Sequence, residues 1–204
     1  MKKQQTQLIG VLVILAVALA AFFGLHAMNT REGDDRNKDA VSLIDFDLSK
    51  VGRIKVFDPA KDDGLIQYRY ELLYRTNLLD DVASWYMSES VYQSTTPKAK
   101  SDTVKQMLDE ISQLKGHKPI TNVTDFAQYG LDPPSLIIWL YVSGEGQIEE
   151  HPTVIEIGDL STGASMYYAR VYREGEEDDT VYLITTMVKS LFDVEADSLI
   201  LSDE

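Results

Sequence analysis

The fold of this chain is decided by Leu136-Ile137-Ile138-Trp139-Leu140-Tyr141-Val142, an uninterrupted run of apolar and aromatic residues. A strand with one wet face alternates apolar and polar residues, because successive side chains point to opposite sides of the sheet. This run does not alternate, so both of its faces are predicted to be buried. We therefore expect it to be the central strand of a sheet.

Strands are predicted on both sides of this run, and the upstream segments have a period of two. Residues 51–57 and 65–75 predict a hairpin, because the turn-forming Asp62-Asp63-Gly64 lies between them. Residues 84–92 predict a third strand. Downstream of the central strand, three further strands are predicted at residues 154–157, 166–173 and 180–184.

Three helical segments are predicted between and after these strands. From Ser101 onward, one helical face carries Val104, Met107, Leu108, Ile111 and Leu114. Ser101 is predicted to be its N-cap, and Gly116 is predicted to end it in the left-handed conformation. A short turn of helix at residues 124–129 is predicted to stop at Gly130, and a last short helix is predicted at residues 187–192.

The strands follow one another mostly without helices between them, which favours antiparallel pairing over a parallel, doubly wound sheet. The predicted fold class is therefore α+β. We expect an N-terminal transmembrane helix followed by one mainly antiparallel sheet domain with two or three helices.

The order of segments resembles a known family. The resemblance is carried by Trp85 before a Ser/Thr-rich link, by Ala99-Lys100-Ser101-Asp102 opening a helix, and by Tyr129-Gly130-Leu131-Asp132-Pro133. It also includes Ile155-Glu156-Ile157-Gly158, Tyr167-Tyr168-Ala169-Arg170 and Thr180-Val181-Tyr182-Leu183. Together these segments are similar to the bacterial domain of unknown function 4340 (DUF4340), over roughly residues 45–195. The resemblance implies a membrane-anchored envelope protein, in some cases associated with auxiliary parts of gliding-type ABC transport systems, and it implies no catalytic residues.

Residues 8–25 form an uncharged apolar run behind Lys2 and Lys3. At the helical rise of about 1.5 Å per residue the run spans roughly 27 Å, close to the hydrocarbon thickness of a bilayer. We interpret it as a retained transmembrane anchor. The alternative is a cleaved secretory signal with a small-x-small site at Ala18-Leu19-Ala20, but Phe22 and Phe23 continue the apolar run beyond that site.

The two lysines lie close to the run, whereas the downstream bases begin six residues beyond it, at Arg31. This asymmetry favours residues 1–7 as a short cytoplasmic tail and an extracytoplasmic C-terminal part in the cell membrane. Residues 26–44 are predicted to be a charged tether and residues 45–204 the extracytoplasmic α+β domain.

The predicted domain is strongly acidic. Removing the five bases and four acids before residue 45 from the totals of 19 and 33 leaves 14 bases and 29 acids, a net charge of −15 with neutral histidines. Such a surface repels nucleic acid. Nucleic acid is therefore not an expected partner; the expected partners are the bilayer, through residues 8–25, and other membrane proteins.

The sequence indicates no catalytic, cofactor-binding or metal-binding residues. It contains no phosphate-binding loop, no His-Glu-x-x-His, no Gly-x-Ser-x-Gly and no cysteine. The histidines, His26, His117 and His151, are predicted to be surface or loop residues. The acidic residues 174–179 lack the alternating spacing of a calcium loop, and a solvated hairpin tip is the favoured interpretation.

Two sets of residues keep an alternative open. Aromatic residues on strands are a possible sugar-stacking platform; these are Tyr68, Tyr70, Tyr74, Trp139, Tyr141, Tyr167, Tyr168 and Tyr172. Asp62-Asp63 and Asp80-Asp81 are possible acid and base pairs, although adjacent strand residues face opposite ways. The preferred hypothesis is a non-catalytic accessory or scaffolding module of an envelope transport complex. The alternative is an envelope enzyme or a glycan-binding domain.

Overall fold

The computed structural model describes residues 40–58, 67–76, 82–88, 96–144, 147–148, 151–176 and 178–201. Within these ranges the chain forms ten strands and two α-helices. The strands are β1 (Val41–Ser42), β2 (Val51–Asp58), β3 (Gln67–Thr76), β4 (Ala83–Met87), β5 (Lys115–Ile120), β6 (Leu136–Gly144), β7 (Gln147–Ile148), β8 (Thr153–Ser161), β9 (Met166–Arg173) and β10 (Val181–Ile184). The helices are α1 (Ser101–Ser112) and α2 (Thr186–Phe192), and short 3-10 turns lie at Leu48–Lys50, Ala127–Tyr129 and Ala196–Leu199.

The strands join in one sheet in the order β1-β5-β10-β9-β8-β6-β2-β3-β4, with β7 paired to the end of β6. Every described strand pair is antiparallel. The mainly antiparallel sheet with two helices confirms the prediction for the sheet domain. The predicted hairpin is also present, since β2 pairs with β3 with Ile54 opposite Leu72.

β6 contains the run that was predicted to be the central strand. It is hydrogen-bonded to β2 on one side and to β8 on the other. Leu136, Ile138 and Leu140 have no solvent exposure, and on the opposite face Ile137 and Tyr141 are also buried. Two-sided burial explains why the run lacks polar alternation.

Both helices pack on the same face of the sheet, which we call the inner face. α1 contributes Val104, Met107 and Ile111, and α2 contributes Val188 and Phe192, to one core cluster with the inner-face residues of β6. At the end of α2, the Tyr70 hydroxyl donates a hydrogen bond of 2.8 Å to the carbonyl oxygen of Phe192. Burial raises the pKa of this hydroxyl well above its usual value, so it remains a donor. The opposite face, called the outer face, carries two smaller apolar clusters.

The predicted helix boundaries need correction. Lys100, not Ser101, is the N-cap residue of α1, without a side-chain capping bond, and the Ser101 hydroxyl lies 3.2 Å from that of Ser84. Gly116 does not close the helix, because it lies within β5, a strand that the sequence did not predict. There a Cβ atom would approach the Tyr182 ring to 2.5 Å, so Gly116 serves close packing instead.

The last part of the predicted tether belongs to the sheet. Val41 and Ser42 pair with Gly116 and Lys115, and Ile44 is buried in the main core. Leu43 packs against the same core, so burial of Leu43 and Ile44 explains why these residues belong to the domain and not to a tether. Residues 1–39, which include the predicted tail, the predicted anchor 8–25 and the rest of the tether, lie outside the described residues. Among the residues described, no helix is long and apolar enough to cross a membrane.

The backbone of the 3-10 turn before β6 packs closely against the backbone of β8; this contact is called the crossing. The 3-10 turn ends at Gly130, whose φ of 65° is left-handed, as predicted for this helix stop. Gly158 of β8 lies directly against this turn. A Cβ atom on Gly158 would lie 3.0 Å from the carbonyl carbon of Gly130 and even closer to the carbonyl oxygen of Tyr129. Because the obstructing atoms belong to backbone, rotation of a side chain cannot relieve the clash.

We predict that Gly158→Ala lowers the free energy of unfolding by about 2–3 kcal/mol, the usual cost of forcing an extra methyl group into a packed site. Gly163→Ala is the matched control, because a Cβ atom there meets nothing within 4 Å. Urea unfolding followed by tryptophan fluorescence measures both. Equal stability of the two variants would show that the crossing is not tightly packed.

Candidate functional site

Two of the segments that carry the family resemblance meet on the outer face in an ion pair. Arg170 of β9 lies directly opposite Glu156 of β8, and its Nη1 donates to Glu156 Oε2 at 3.1 Å. The Tyr172 hydroxyl donates to Glu156 Oε1 at 3.0 Å, and Arg170 Nη2 donates to the carbonyl oxygen of Asp178 at 2.6 Å. The guanidinium also lies 4.0 Å from the centre of the Phe126 ring. These five residues are called the Arg170 cluster.

The charges of the Arg170 cluster are largely withdrawn from water. The side chains of Arg170 and Glu156 retain only 17% and 13% of their exposure. Desolvation raises the pKa of Glu156 above its ordinary value, even though the bonds from Tyr172 and Arg170 oppose the shift. Desolvation and the neighbouring Glu156 raise the pKa of Tyr172 to about 12, so its hydroxyl stays protonated and donates.

The Arg170 cluster is arranged as a crosslink between segments. Both carboxylate oxygens of Glu156 accept bonds from within the cluster, and the low exposure of its side chain limits the access of a substrate to the remaining lone pairs. Arg170 Nε is buried and has no hydrogen-bond partner among the described residues, which is a cost that the cation–π contacts partly offset. The cluster therefore ties β8 and β9 to the turn at Phe126 and to the loop at Asp178.

An open pocket, which shares Tyr172 with the Arg170 cluster, lies where β6, β8 and β9 meet residues 42–46. Its volume is about 520 Å³, within the range of about 300–1,000 Å³ typical of ligand pockets. One wall is the segment 42–46, which we call the entry segment, and the half-buried side chains of Val142 and Val171 lie beside it. Leu140 borders the pocket but has no solvent exposure. Asp45, His151, Thr153, Tyr172, Arg173 and Glu176 complete the lining. The entry pocket, as we name it, thus combines a few half-buried apolar side chains with a charged rim.

The rim of the entry pocket carries more acid than base. Asp45 and Glu176 are opposed by Arg173, and His151 Nδ1 lies 3.8 Å from a carboxylate oxygen of Glu174 just outside the lining. With histidine neutral, the lining carries one negative charge in excess on a domain that is already acidic. Its field therefore favours cationic groups.

A third polar arrangement lies at the opposite end of β6. Lys189 Nζ of α2 donates to Ser135 Oγ at 2.8 Å, and Ser135 Oγ donates to the carbonyl oxygens of Ile157 and Gly158 at 2.8 and 3.1 Å. A serine nucleophile must give its proton to a base. Here the proton points to backbone carbonyls, so this serine and lysine hold α2 to the sheet.

The structure brings only part of the predicted aromatic platform together. Tyr70 and Tyr167 belong to the inner face, whereas Trp139, Tyr141, Tyr168 and Tyr172 are on the outer face. The rings on the outer face pack on neighbours instead of standing free. The Trp139 centroid lies 4.8 Å from that of Phe57 and 6.3 Å from that of Tyr141, and the Tyr168 centroid lies 5.0 Å from that of Tyr129. Tyr74 likewise packs on Trp85, at 5.3 Å between centroids.

The other candidate residues have mixed outcomes. His117 was predicted to be a surface or loop residue, but it is buried within β5. His151 is exposed, as predicted. The pairs Asp62-Asp63 and Asp80-Asp81, the residue His26 and the side chain of Tyr68 lie outside what is described. Among the described residues, no group of three or more acidic residues, histidines or cysteines is placed to hold a metal ion.

The comparison with known families supports the resemblance stated from the sequence. The family model described as "Domain of unknown function (DUF4340)" matches residues 89–203, more than half of the 204 residues. The chain belongs to this family. The resemblance stated from residue 45 is thus confirmed from residue 89 onward, a range that includes α1, β5 to β10, α2 and the whole Arg170 cluster. No curated protein and no solved structure matches the chain.

We predict that Arg170→Met lowers the free energy of unfolding by about 2–3 kcal/mol, because it leaves the largely buried Glu156 carboxylate without its charged partner. Arg75→Met is the control. Arg75 is exposed, and its guanidinium lies 4.8 Å from the Tyr86 ring, so its loss is expected to cost about 0.5 kcal/mol. Urea unfolding at neutral pH measures both variants. A cost for Arg170→Met no larger than that for Arg75→Met would contradict the crosslinking role.

Glu156 also predicts a pH dependence of stability. Its pKa is raised in the folded chain, so between the ordinary and the raised pKa the folded state binds more protons than the unfolded state. Its contribution is therefore present below the ordinary pKa of 4.5 and decreases as the pH rises through the folded pKa. We expect Glu156→Gln to remove this decrease, measured by urea unfolding across about pH 4–7. Exposed Glu195→Gln controls for loss of one charge, and an unchanged pH slope in Glu156→Gln would refute the assignment.

Proposed function

We propose that the chain is a non-catalytic, membrane-anchored extracytoplasmic module that acts as an accessory or scaffolding subunit of an envelope complex of the ABC-transport type. The single observation that carries the docking part of this proposal is the entry pocket, an open cavity lined by both apolar and charged side chains. The anchoring part is supported by the uncharged apolar run at residues 8–25 behind Lys2 and Lys3.

The position of the entry pocket along the chain supports a role close to the bilayer. If residues 8–25 cross the membrane, only residues 26–41 separate the bilayer from the entry segment. Fully extended, a chain of that length reaches at most about 55 Å. The pocket is thereby confined to a layer near the membrane surface, where the exposed parts of other membrane proteins are found.

The polar clusters of the described residues favour binding over catalysis. Glu156 is engaged by Arg170 and Tyr172, and Ser135 directs its proton to backbone oxygens. The acidic charge of the domain disfavours nucleic acid as a partner and leaves proteins with basic segments as suitable ones. An anchored domain with an open pocket and internally paired polar groups suits a subunit that positions other proteins.

The proposed orientation can be tested with single cysteines, since the chain has none of its own. We expect a membrane-impermeant maleimide to label Thr162→Cys in intact cells, because Thr162 is exposed in the turn after β8. Gln4→Cys, in the proposed cytoplasmic tail, is the matched control and is expected to react only after the cells are opened. Intact-mass measurement of the same samples checks that residues 8–25 are retained. Labelling of Gln4→Cys alone, or loss of the first residues, would refute the anchored orientation.

The docking role is tested by mild crosslinking in intact cells, followed by identification of the crosslinked proteins. We expect discrete adducts with membrane proteins, which disappear when residues 1–25 are replaced by a cleavable leader. Recovery of the chain only as an uncrosslinked species, under conditions that crosslink a known membrane complex in the same cells, would contradict the proposal.

A further inference from the structure

The sheet is built from two similar repeats. In the first, β2, β3 and β4 form an antiparallel meander, residues 97–99 add a fourth extended segment beside β4, and α1 follows. In the second, β6, β8, β9 and β10 form the meander, and α2 follows. Because β2 and β6 are antiparallel neighbours, an approximate two-fold axis between them relates the strand order and strand directions of the two repeats.

The register of the core agrees with this repeat. In each repeat, a row of three inner-face residues crosses the first, second and third strands of the meander, and each residue is paired with the next. All of these residues lack solvent exposure. They are Ile54, Leu72 and Met87 in the first repeat and Leu136, Ile157 and Ala169 in the second. The same packing scheme therefore folds both halves of the sheet.

After its helix, each repeat sends one extended segment to the edge of the other repeat. β5 follows α1 and pairs with β10, and Ile200 follows α2 and pairs with Ala99. The two edges differ in what lies beyond these segments. β5 is covered further by β1, whereas no strand among the described residues pairs with the outer side of Ile200. One edge of the sheet is thus folded without a covering strand, and β1 is an addition to the other edge.

β1 and the entry segment, residues 41–46 together, are called the strap. Its backbone is tied to the sheet by the two residue pairs of β1 and by a bond of 3.1 Å from the Leu43 amide to the Leu114 carbonyl oxygen. Ile44 is its one fully buried side chain, at 8% exposure, and Leu43 and Phe46 pack partly on the main core. Toward β6, β8 and β9 the strap borders the entry pocket, so part of that side faces a cavity instead of side chains.

The strap gains less from folding than the central strands do. Each of its residues loses backbone freedom when it is ordered. In return its backbone is paired on one side only, whereas β6 is paired on both sides. Segments with few buried contacts open at lower free energy than the core of a sheet. The edge at Ile200, which has no such cover, indicates that the rest of the sheet does not require one.

We propose that residues 41–46 are a strap that opens as a unit while the rest of the sheet and both helices remain folded. Opening removes one wall of the entry pocket, which then becomes a cleft beside the half-buried Val142 and Val171. The strap therefore controls how widely the pocket is open. This inference concerns the domain alone and does not depend on the anchored docking role proposed above.

The Leu43 amide reports opening in the native sequence. The full chain is placed in lipid nanodiscs, and hydrogen exchange is followed at single residues by mass spectrometry with gas-phase fragmentation. After correction for intrinsic rates, we expect the Leu43 amide to exchange at least tenfold faster than the Ile138 amide of β6. We also expect a weaker urea dependence at Leu43, because a local opening exposes less surface than global unfolding. Equal rates with equal urea dependence would overturn the proposal.

Buried thiols test whether the strap opens as a unit, since the chain has no cysteine of its own. Ile44→Cys places a thiol under the strap, and Ile155→Cys is the matched control in the unexposed core of β8. We expect a thiol reagent to label Ile44→Cys at least tenfold faster than Ile155→Cys. The opening constant from Ile44→Cys is expected to agree with that from the Leu43 amide within about threefold. Labelling of Ile44→Cys as slow as that of Ile155→Cys would contradict a local opening.

Leu43→Pro tests the independence of the strap, because proline removes the amide that bonds to Leu114. Added to each thiol variant, it is expected to speed labelling of Ile44→Cys at least tenfold and to change that of Ile155→Cys less than twofold. Equal acceleration at both positions would show that the strap is part of the cooperative core, and it would refute the proposal. The exchange comparison at Leu43 uses the native sequence, so it decides the question even if a variant does not fold.

Discussion

The burial of β6 on both faces is the constraint on which the rest of the structure depends. Its backbone is hydrogen-bonded to β2 and β8, its inner face packs on the core under the helices, and its outer face carries Ile137 and Tyr141 out of water. A slip of one residue exchanges the two faces of a strand. Here a slip would move the indole of Trp139 into space that the smaller side chains of Ile138 and Leu140 fill with no exposure. Close packing on both sides therefore fixes the register of the neighbouring strands.

The Arg170 cluster reinforces this register on the outer face. Glu156 and Arg170 are directly paired across β8 and β9, while Ile157 and Ala169, the next pair along, belong to the main core. A shifted register would separate two charges that are largely out of water, which is costly. The ion pair contributes modestly to stability when it is formed. Shifted registers that separate its two charges are strongly destabilised. Glu156 and Arg170, which come from two separate segments of the family resemblance, thus serve one physical purpose.

Much of the fold follows from residue patterns that act locally. The period of two in β2 and β3, the unbroken apolar run of β6 and the helical face of α1 each indicate which side of the element is buried, and these elements were predicted. Gly130 was also predicted, because a left-handed stop has a local signature. β5 was missed, since its sequence Lys-Gly-His-Lys-Pro-Ile has no alternation and is fixed by pairing with β1 and β10. The partners of Arg170 and the walls of the entry pocket come from distant segments, so no local pattern reveals them.

The entry segment lines the entry pocket and also forms a short edge of the sheet. β1 contributes only two residue pairs to the sheet, and the backbone bond from Leu43 to the Leu114 carbonyl oxygen adds one more tie of 3.1 Å. An edge held by so few bonds is expected to open at lower free energy than the rest of the sheet. A ligand that contacts this wall binds the closed arrangement and not the open one, so it stabilises the closed arrangement by mass action.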